Sequence, residues 1–468
     1  MAVTADIGLI GLGTMGSALA LNIAENAAPI AVWNRTTART HAFHAEAADL
    51  APRITPCDTL EALVAAIRPP RAIILMVPAG QAVDDQLAAL TPYLAADDLV
   101  IDAGNANFHD TNRRARAGLS FHFLGMGVSG GEEGARHGPA IMGGGEKADW
   151  DRVAPILTAI AAKHETEACA DWMGPEGAGH FVKAVHNGIE YADMQMIAEV
   201  YGMMRDGFGL PAPAIGTTFE RWNNGVLQSY LIEISAAVAA ATDPLTGAAM
   251  LDVILDKAGQ KGTGRWTAIE AQHLAAPIPV IEAAVAARNV SARLDERKAG
   301  EAVYGPAPER LPAGMLSEAD LEAALTAGKI LCYAQGFTMT AAAGPAFGWN
   351  LQLPAIARVW RAGCIIRSAM LDDMAQALTE DPARNLMLAP LFTAHLKRSL
   401  PALRRVVSAA ALHGHAMPAL SAGLAWFDAM RTACGTANMI QAQRDFFGAH
   451  GFERLDGADR PHGPWAMA

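Results

Sequence analysis

The sequence predicts an α/β N-terminal domain built on a parallel sheet, a large all-α domain after it, and a short C-terminal tail. Three observations carry this. Short apolar runs alternate with Ala- and Leu-rich stretches of helical period up to about residue 178. Strand signals then nearly vanish, and Ala/Leu/Met segments with helical spacing continue to about residue 434. From Gly435 onward, one helical segment (IQAQRDFFGAH) is followed by Gly- and Pro-rich chain. The expected domains are therefore 1–178, 179–434 and 435–468, and 468 residues are ample for more than one core.

In the first part, Ile7–Ile10, Ile30–Trp33, Ile73–Val77 and Leu99–Asp102 read as short buried strands. The helix-period segments between them make βαβ units. The run Phe123–Gly145 continues strand and turn chemistry and is rich in glycine. In the helical part, Phe208-Gly209 and Trp222–Gly225 recur as Phe347-Gly348 and Trp360–Gly363. An offset of roughly 140 residues suggests a duplicated helix bundle. The tail is too small to bury a core of its own, so it frays or docks elsewhere.

Composition narrows the function classes. A formal charge of −12 disfavours nucleic acid as a general partner, though an anionic substrate remains possible where basic residues gather. Cys57, Cys169, Cys332, Cys364 and Cys434 are scattered without a CxxC pair, which suggests reduced thiols and a cytoplasmic setting. The opening segment lacks a basic n-region, and no uncharged apolar run reaches bilayer length. Neither a signal peptide nor a membrane span is expected.

The first strand leads into Gly11-Leu12-Gly13-Thr14-Met15-Gly16, a GxGxxG that opens an Ala/Leu helix. The first glycine permits a tight turn, the second a close backbone approach to pyrophosphate, and the third close helix–strand packing. This is the Rossmann-type arrangement, with the diphosphate at the positive helix end. After the second strand an NAD site usually offers Asp or Glu to the ribose, but here the chain reads Asn34-Arg35-Thr36. Arginine pairs with a 2′-phosphate, so NADP is favoured over NAD. Ala103-Gly104-Asn105 and Ser129-Gly130-Gly131 follow strands on the ligand-facing edge, and each brings a hydrogen-bonding side chain.

The densest chemistry lies in HFVKAVHNGIEY, residues 180–191. On a helix, Lys183, His186, Asn187, Glu190 and Tyr191 share one face within an arc of roughly 140°. The opposite side (Phe181, Val182, Val185, Ile189) is apolar. A lysine and a carboxylate two turns apart, with an imidazole and an amide between them, make an acid–base constellation whose pKa values burial would shift. An exposed Lys/Glu surface face is the competing reading. The loop Lys261-Gly-Thr-Gly-Arg-Trp266 sets two cations and a hydroxyl beside flexible backbone, which suits a phosphate or carboxylate, although its spacing is not that of a Walker A loop. Arg288 adds charge nearby, while Arg293, Arg297 and Lys298 read as a solvated helix face. In the tail, Arg444 and His450 flank Phe446 and Phe447. His41 and His44 are spaced like metal ligands but lack Cys or acidic partners, so no metal is expected.

Together GLGTMG, NRT, GVSGGEEGA, HFVKAVHNGIEY, ILDKAGQKGTGRWT, RAGCIIR and IQAQRDFFGAH resemble the 6-phosphogluconate dehydrogenase family over essentially the whole chain. GLGxMG, SGG and a helix lysine are also shared with the wider β-hydroxyacid dehydrogenases. The resemblance implies oxidative decarboxylation of 6-phospho-D-gluconate to D-ribulose 5-phosphate and CO2, with NADP as cofactor and no metal. By resemblance, Lys183 is the general base at the C3 hydroxyl and Glu190 the general acid that protonates the enediol. Asn105, Ser129, Gly130, Gly131, His186 and Asn187 are similar to sugar-acid contacts; Tyr191, Lys261 and Arg288 are similar to phosphate ligands. Val77, Pro78, Ala79 and Asn105 are similar to cofactor contacts. In the family, Arg444 and His450 arrive from the tail of the other subunit, which implies a homodimer with exchanged tails.

Three residues depart from the family pattern. Pro78 stands where many relatives have lysine, Ala103 replaces a glycine, and Phe181 replaces a tyrosine. None of these touches the proposed acid and base. Two alternatives stay open: a β-hydroxyacid dehydrogenase of an unphosphorylated substrate, and a non-catalytic NADP-binding scaffold. The first leaves Lys261, Arg288 and Arg444 without a common role, and the second predicts loss of Lys183 and Glu190.

Overall fold

Apolar runs of four residues without alternation require a sheet covered on both faces. A computed structural model describes residues 4–467 and realises this; Met1–Val3, where the opening segment was read, and Ala468 lie outside the described residues. The strands are β1 (Ile7–Ile10), β2 (Ile30–Trp33), β3 (Ile54–Pro56), β4 (Ala72–Leu75), β5 (Leu99–Asp102), β6 (His122–Ser129) and β7 (Ala140–Gly143). A small hairpin, β8 (Lys163–His164) with β9 (Glu167–Ala168), precedes β10 (Ala170–Trp172). The main sheet has eight strands in the order β10-β7-β6-β5-β4-β1-β2-β3. All neighbours are parallel except β6 and β7.

Ile7 and Leu9 point into one apolar core with Val32 and Ile74, while Ile10 points into another with Ala31, Ile73 and Leu75. Two details differ from the sequence reading. The third strand expected at Ile73–Val77 runs from Ala72 to Leu75, because the chain turns away beyond it to pass beside the glycine loop. The short edge strand β3, ending at Pro56, was too brief to show periodicity.

Beyond the sheet, the helix Ala178–Gly202 (the site helix) lies directly on β6 and β7. Glycines make this approach possible. A Cβ on Gly127 would stand 2.4 Å from Lys183 Cβ, and one on Gly179 would stand 2.4 Å from the Met142 carbonyl. A second long helix, Glu318–Phe347, begins with a Ser317/Asp320 capping box and packs along the site helix. Gly336 admits Ile189 there, and a buried Lys329–Asp193 ion pair at 2.8 Å ties the two helices together.

The recurring sequence segments occupy equivalent turns. Gly209 and Gly348 both follow a phenylalanine with left-handed φ values of +67° and +72°. Each leads to a helix that closes at a buried tryptophan, Trp222 or Trp360. The next helices, Tyr230–Ala240 and Met370–Glu380, start beside one another at the Ser229–Ser368 bridge.

The tail carries one helix, Ala437–Gly448, and its following chain folds over Asp445. That carboxylate accepts from the Gly451 and Gly463 amides, His462 Nδ1 and Trp465 Nε1 at 2.7–3.0 Å. These donors hold it well below the usual carboxylate range. Met439, Ile440, Phe446 and Phe447 remain exposed. So the tail is ordered around a polar centre while its apolar side chains face outward. No helix among the described residues is long and apolar enough to cross a membrane.

Candidate active site

Three loops converge at the carboxyl ends of β1, β4 and β5. Gly11 has φ +102°, and a Cβ there would sit 2.4 Å from the Met76 carbonyl. A Cβ on Gly16 would meet the Gly11 carbonyl at 1.8 Å, so only glycine lets the helix start this close to the strand. Gly13 faces open space. It caps the helix Thr14–Asn26 without a side-chain hydrogen bond, which leaves the first amides, including those of Met15 and Gly16, to bind an anion. Val77, with Pro78 and Ala79 following, runs between this loop and Gly104; the Gly104 amide is held by Asp102 Oδ1 at 3.1 Å.

Asn34 has an internal task. Its Oδ1 accepts from the Leu12 amide at 3.0 Å, fixing the glycine loop. Arg35 and Thr36 are exposed next to it. Arg39 was not singled out from the sequence, yet its Nε donates to the Leu12 carbonyl at 3.0 Å. Its spacing of four from Arg35 was the available signal.

The site helix brings its polar face into a nearly closed space, which rules out the exposed-face reading. Lys183 is 6% exposed, His186 0% and Asn187 8%. Lys183 Nζ donates to Asn187 Oδ1, and His186 Nδ1 lies 3.0 Å from the same oxygen. On the other side of the ring, Nε2 meets Ser129 Oγ at 3.1 Å. A proton on Nδ1 therefore suits Asn187 and leaves Nε2 to accept from the serine hydroxyl. Asn187 Nδ2 donates to Thr263 Oγ1 at 2.9 Å, and Thr267 Oγ1 donates to the Ala184 carbonyl at 2.6 Å. Thr263 is thus a member of the cluster that sequence spacing did not connect to Asn187.

Burial dominates the electrostatics. It pushes Lys183 below the usual lysine value, against the opposing pull of Glu190 and Cys364. It pushes Glu190 above the usual carboxylate value, against Lys183 and Arg288. His186 falls well below the ordinary imidazole value through burial and the neighbouring Lys183, so it stays neutral. Glu190 Oε2 lies 3.8 Å from His186 Nδ1. Cys364, from RAGCIIR, is pushed up to about 12 by burial and remains a thiol.

One turn on, the Arg288 guanidinium stacks over the Tyr191 ring, 3.5 Å from its centroid. A Cβ on Gly264 would stand 2.6 Å from that ring, so the Lys261–Trp266 loop closes on Tyr191 through glycine. Arg288 also donates to the Gly259 carbonyl at 3.1 Å, while Lys261 is exposed in the same loop. Gly130, at φ +128°, abuts the Gly363 carbonyl, and Gly131 faces open space. Asn105 is exposed at the end of its loop.

Other expected residues lie apart. Arg444 and His450 are exposed in the tail, where Arg444 donates to Gln441. Arg293 pairs with Glu296, and Arg297 with Asp256. His41 pairs with Asp58, and His44 meets the Ala51 carbonyl.

A model of the NAD binding domain of 6-phosphogluconate dehydrogenase matches residues 6–174, and a model of the C-terminal domain of 6-phosphogluconate dehydrogenase matches residues 179–465. A Treponema pallidum protein named 6-phosphogluconate dehydrogenase, decarboxylating, is 46% identical over 97% of this chain and 94% of its own. A Bacillus subtilis protein named 6-phosphogluconate dehydrogenase, NADP(+)-dependent, decarboxylating, is 45% identical over 98% and 99%. A solved Plasmodium falciparum 6-phosphogluconate dehydrogenase superposes with a TM-score of 0.94 at 38% identity, covering 98% of this chain and 100% of that one. That protein is described in apo form, with NADP+ and with 6-phosphogluconate. Two family models that together span nearly the whole chain, and relatives at close to half identity along its length, establish that this chain belongs to the 6-phosphogluconate dehydrogenase family.

Proposed function

We propose that this chain oxidises and decarboxylates 6-phospho-D-gluconate to D-ribulose 5-phosphate and CO2, using NADP, in the cytoplasm. The observation that carries the reading is the pairing, on one helix face, of buried Lys183 shifted down with half-buried Glu190 shifted up. Groups displaced in opposite directions suit a base and an acid in one reaction.

The residues at the sheet edge fit NADP. Gly13 leaves room for a phosphate, the helix amides of Thr14, Met15 and Gly16 can donate to it, and Arg35 and Thr36, exposed beside the glycine loop, would meet a 2′-phosphate. Val77, Pro78, Ala79 and Asn105 would line the nicotinamide side. When bound, the cofactor accepts hydride from C3.

Neutral Lys183 takes the proton of the C3 hydroxyl as C3 becomes a carbonyl. The resulting Lys183 ammonium donates to that carbonyl oxygen while the C1–C2 bond breaks. The bond's electron pair moves into the enediol, and CO2 leaves. Glu190, whose carboxyl burial biases toward the protonated form, then delivers a proton to the carbon that becomes C1 of the product, while Lys183 takes back the proton of the neighbouring enediol oxygen, which becomes the product carbonyl. A β-keto acid with a cationic donor on its carbonyl needs no metal for this step. Ser129, Gly130, Gly131, His186, Asn187 and Asn105 would hold the sugar hydroxyls and carboxylate.

Tyr191, Lys261 and Arg288 would hold the phosphate, joined by Arg444 and His450 from the tail of a second copy. The exposed apolar side chains of the tail helix support such an exchanged homodimer. We divide the chain at 178 and 434 accordingly.

The test is to follow NADPH formation and CO2 release from 6-phosphogluconate, with NADP and NAD in parallel. Stoichiometric CO2 with NADP is expected. Faster turnover with NAD would refute the role of Arg35, equal turnover of gluconate would refute the phosphate site, and cofactor binding without reduction would leave a scaffold.

A further inference from the structure

A buried carboxylate needs a counter-charge or a proton. Glu270, on the helix Thr263–His273, has a side chain only 6% exposed. Among the described residues its ion-pair partners are two histidines, and neither Lys nor Arg reaches it. His109 Nε2 lies 2.7 Å and His273 Nδ1 3.3 Å from the same oxygen, Glu270 Oε2. The three ligand-capable atoms all lie within 4.8 Å of one another. Both imidazoles are more than half exposed and open toward solvent, the His109 ring resting 4.0 Å from the Phe108 ring.

We propose that His109, Glu270 and His273 form a binding site for a borderline divalent transition metal, best matched by Zn²⁺, that staples the sheet domain to the helical domain. Two imidazoles and one carboxylate are a ligand set that Zn²⁺ accepts with its remaining position open to water. Tetrahedral Zn²⁺ with bonds of about 2.1 Å separates its ligands by about 3.4 Å. The existing separations require only small rotations of exposed rings. Mg²⁺ and Ca²⁺ prefer oxygen-rich sites, and one carboxylate does not make one.

The site stands apart from the chemistry of Lys183 and does not rest on the proposed reaction. His109 opens the helix Phe108–Ala115 directly after the Ala103–Asn105 loop, while Glu270 and His273 belong to the helix that carries Thr263 and Thr267. A metal here would link the cofactor side of the molecule to the helix that positions Asn187. The sequence did not disclose it, because His109 and Glu270 are 161 residues apart.

The test uses the full-length protein with Cys434→Ser, which removes the one exposed thiol. Zn²⁺ titration calorimetry should give one site per chain, and Zn²⁺ but not Mg²⁺ should raise the melting temperature. Co²⁺ should develop visible d–d absorption. His109→Ala and His273→Ala, both half-exposed and expected to fold, should each weaken Zn²⁺ binding about tenfold or more and abolish the Co²⁺ spectrum. Glu270→Gln should do the same, with circular dichroism checking its fold. Absence of saturable Zn²⁺ binding, or binding unchanged in both histidine variants, would overturn the proposal.

Discussion

Gly127 and Lys183 face each other where the sheet meets the site helix, so closely that a Cβ on Gly127 would stand 2.4 Å from Lys183 Cβ. The position of the lysine is therefore set by the absence of a side chain on the strand beneath it. Gly127→Ala should push the helix outward, cost about 1–3 kcal/mol of stability and reduce kcat much more than substrate KM. Thermal melting and steady-state kinetics check this together. A stable variant with full kcat would show that the helix can shift without consequence.

Lys183→Met should lower kcat by about two to four orders of magnitude while NADP affinity stays within a few-fold. Cofactor fluorescence titration and stopped-flow reduction separate the two effects. Substantial oxidation by this variant would remove Lys183 as the base.

The pH profile carries a sign. Burial lowers the Lys183 pKa, and the Glu190 charge raises it. In Glu190→Gln that opposing pull is gone, so the acid limb of kcat/KM, where the lysine must lose its proton, should move to lower pH. Protonation of the product carbon should slow as well, with kcat falling about a hundredfold. An acid limb that moved upward would contradict the coupling of the two groups.

The cofactor loop separates recognition from positioning. Arg35→Ala should raise KM for NADP about tenfold or more while barely altering KM for NAD. Asn34→Ala removes the acceptor that fixes the Leu12 amide, so it should weaken both cofactors by a similar few-fold factor. If Arg35→Ala affected NAD and NADP alike, the arginine would not be reading the 2′-phosphate.

Arg444→Ala should raise KM for 6-phosphogluconate with kcat little changed, since phosphate ligands act largely through binding. Mixing Arg444→Ala chains with Lys183→Met chains should leave mixed dimers carrying one fully defective and one intact site. Activity in simple proportion to unmixed chains would argue that each tail serves its own subunit.

What could be read along the chain was whatever repeats over a few residues. The buried tetrads Ile7–Ile10 and Leu99–Asp102, the GxGxxG loop and the polar face from Lys183 to Tyr191 are local patterns, because strand and helix geometry set side-chain direction over one or two turns. The end of β4 and the short β3 escaped because packing of neighbouring loops decides where so brief a strand stops. Contacts between distant segments were decided only by the tertiary structure. Thr263 reaches Asn187 across 76 residues, and Arg39 reaches Leu12 across 27. Glu270 gathers His109 and His273 on one oxygen. The shifts of Lys183 and Glu190 belong to the same class: a sequence names the ionisable group, but desolvation by the surrounding packed chain decides its proton affinity.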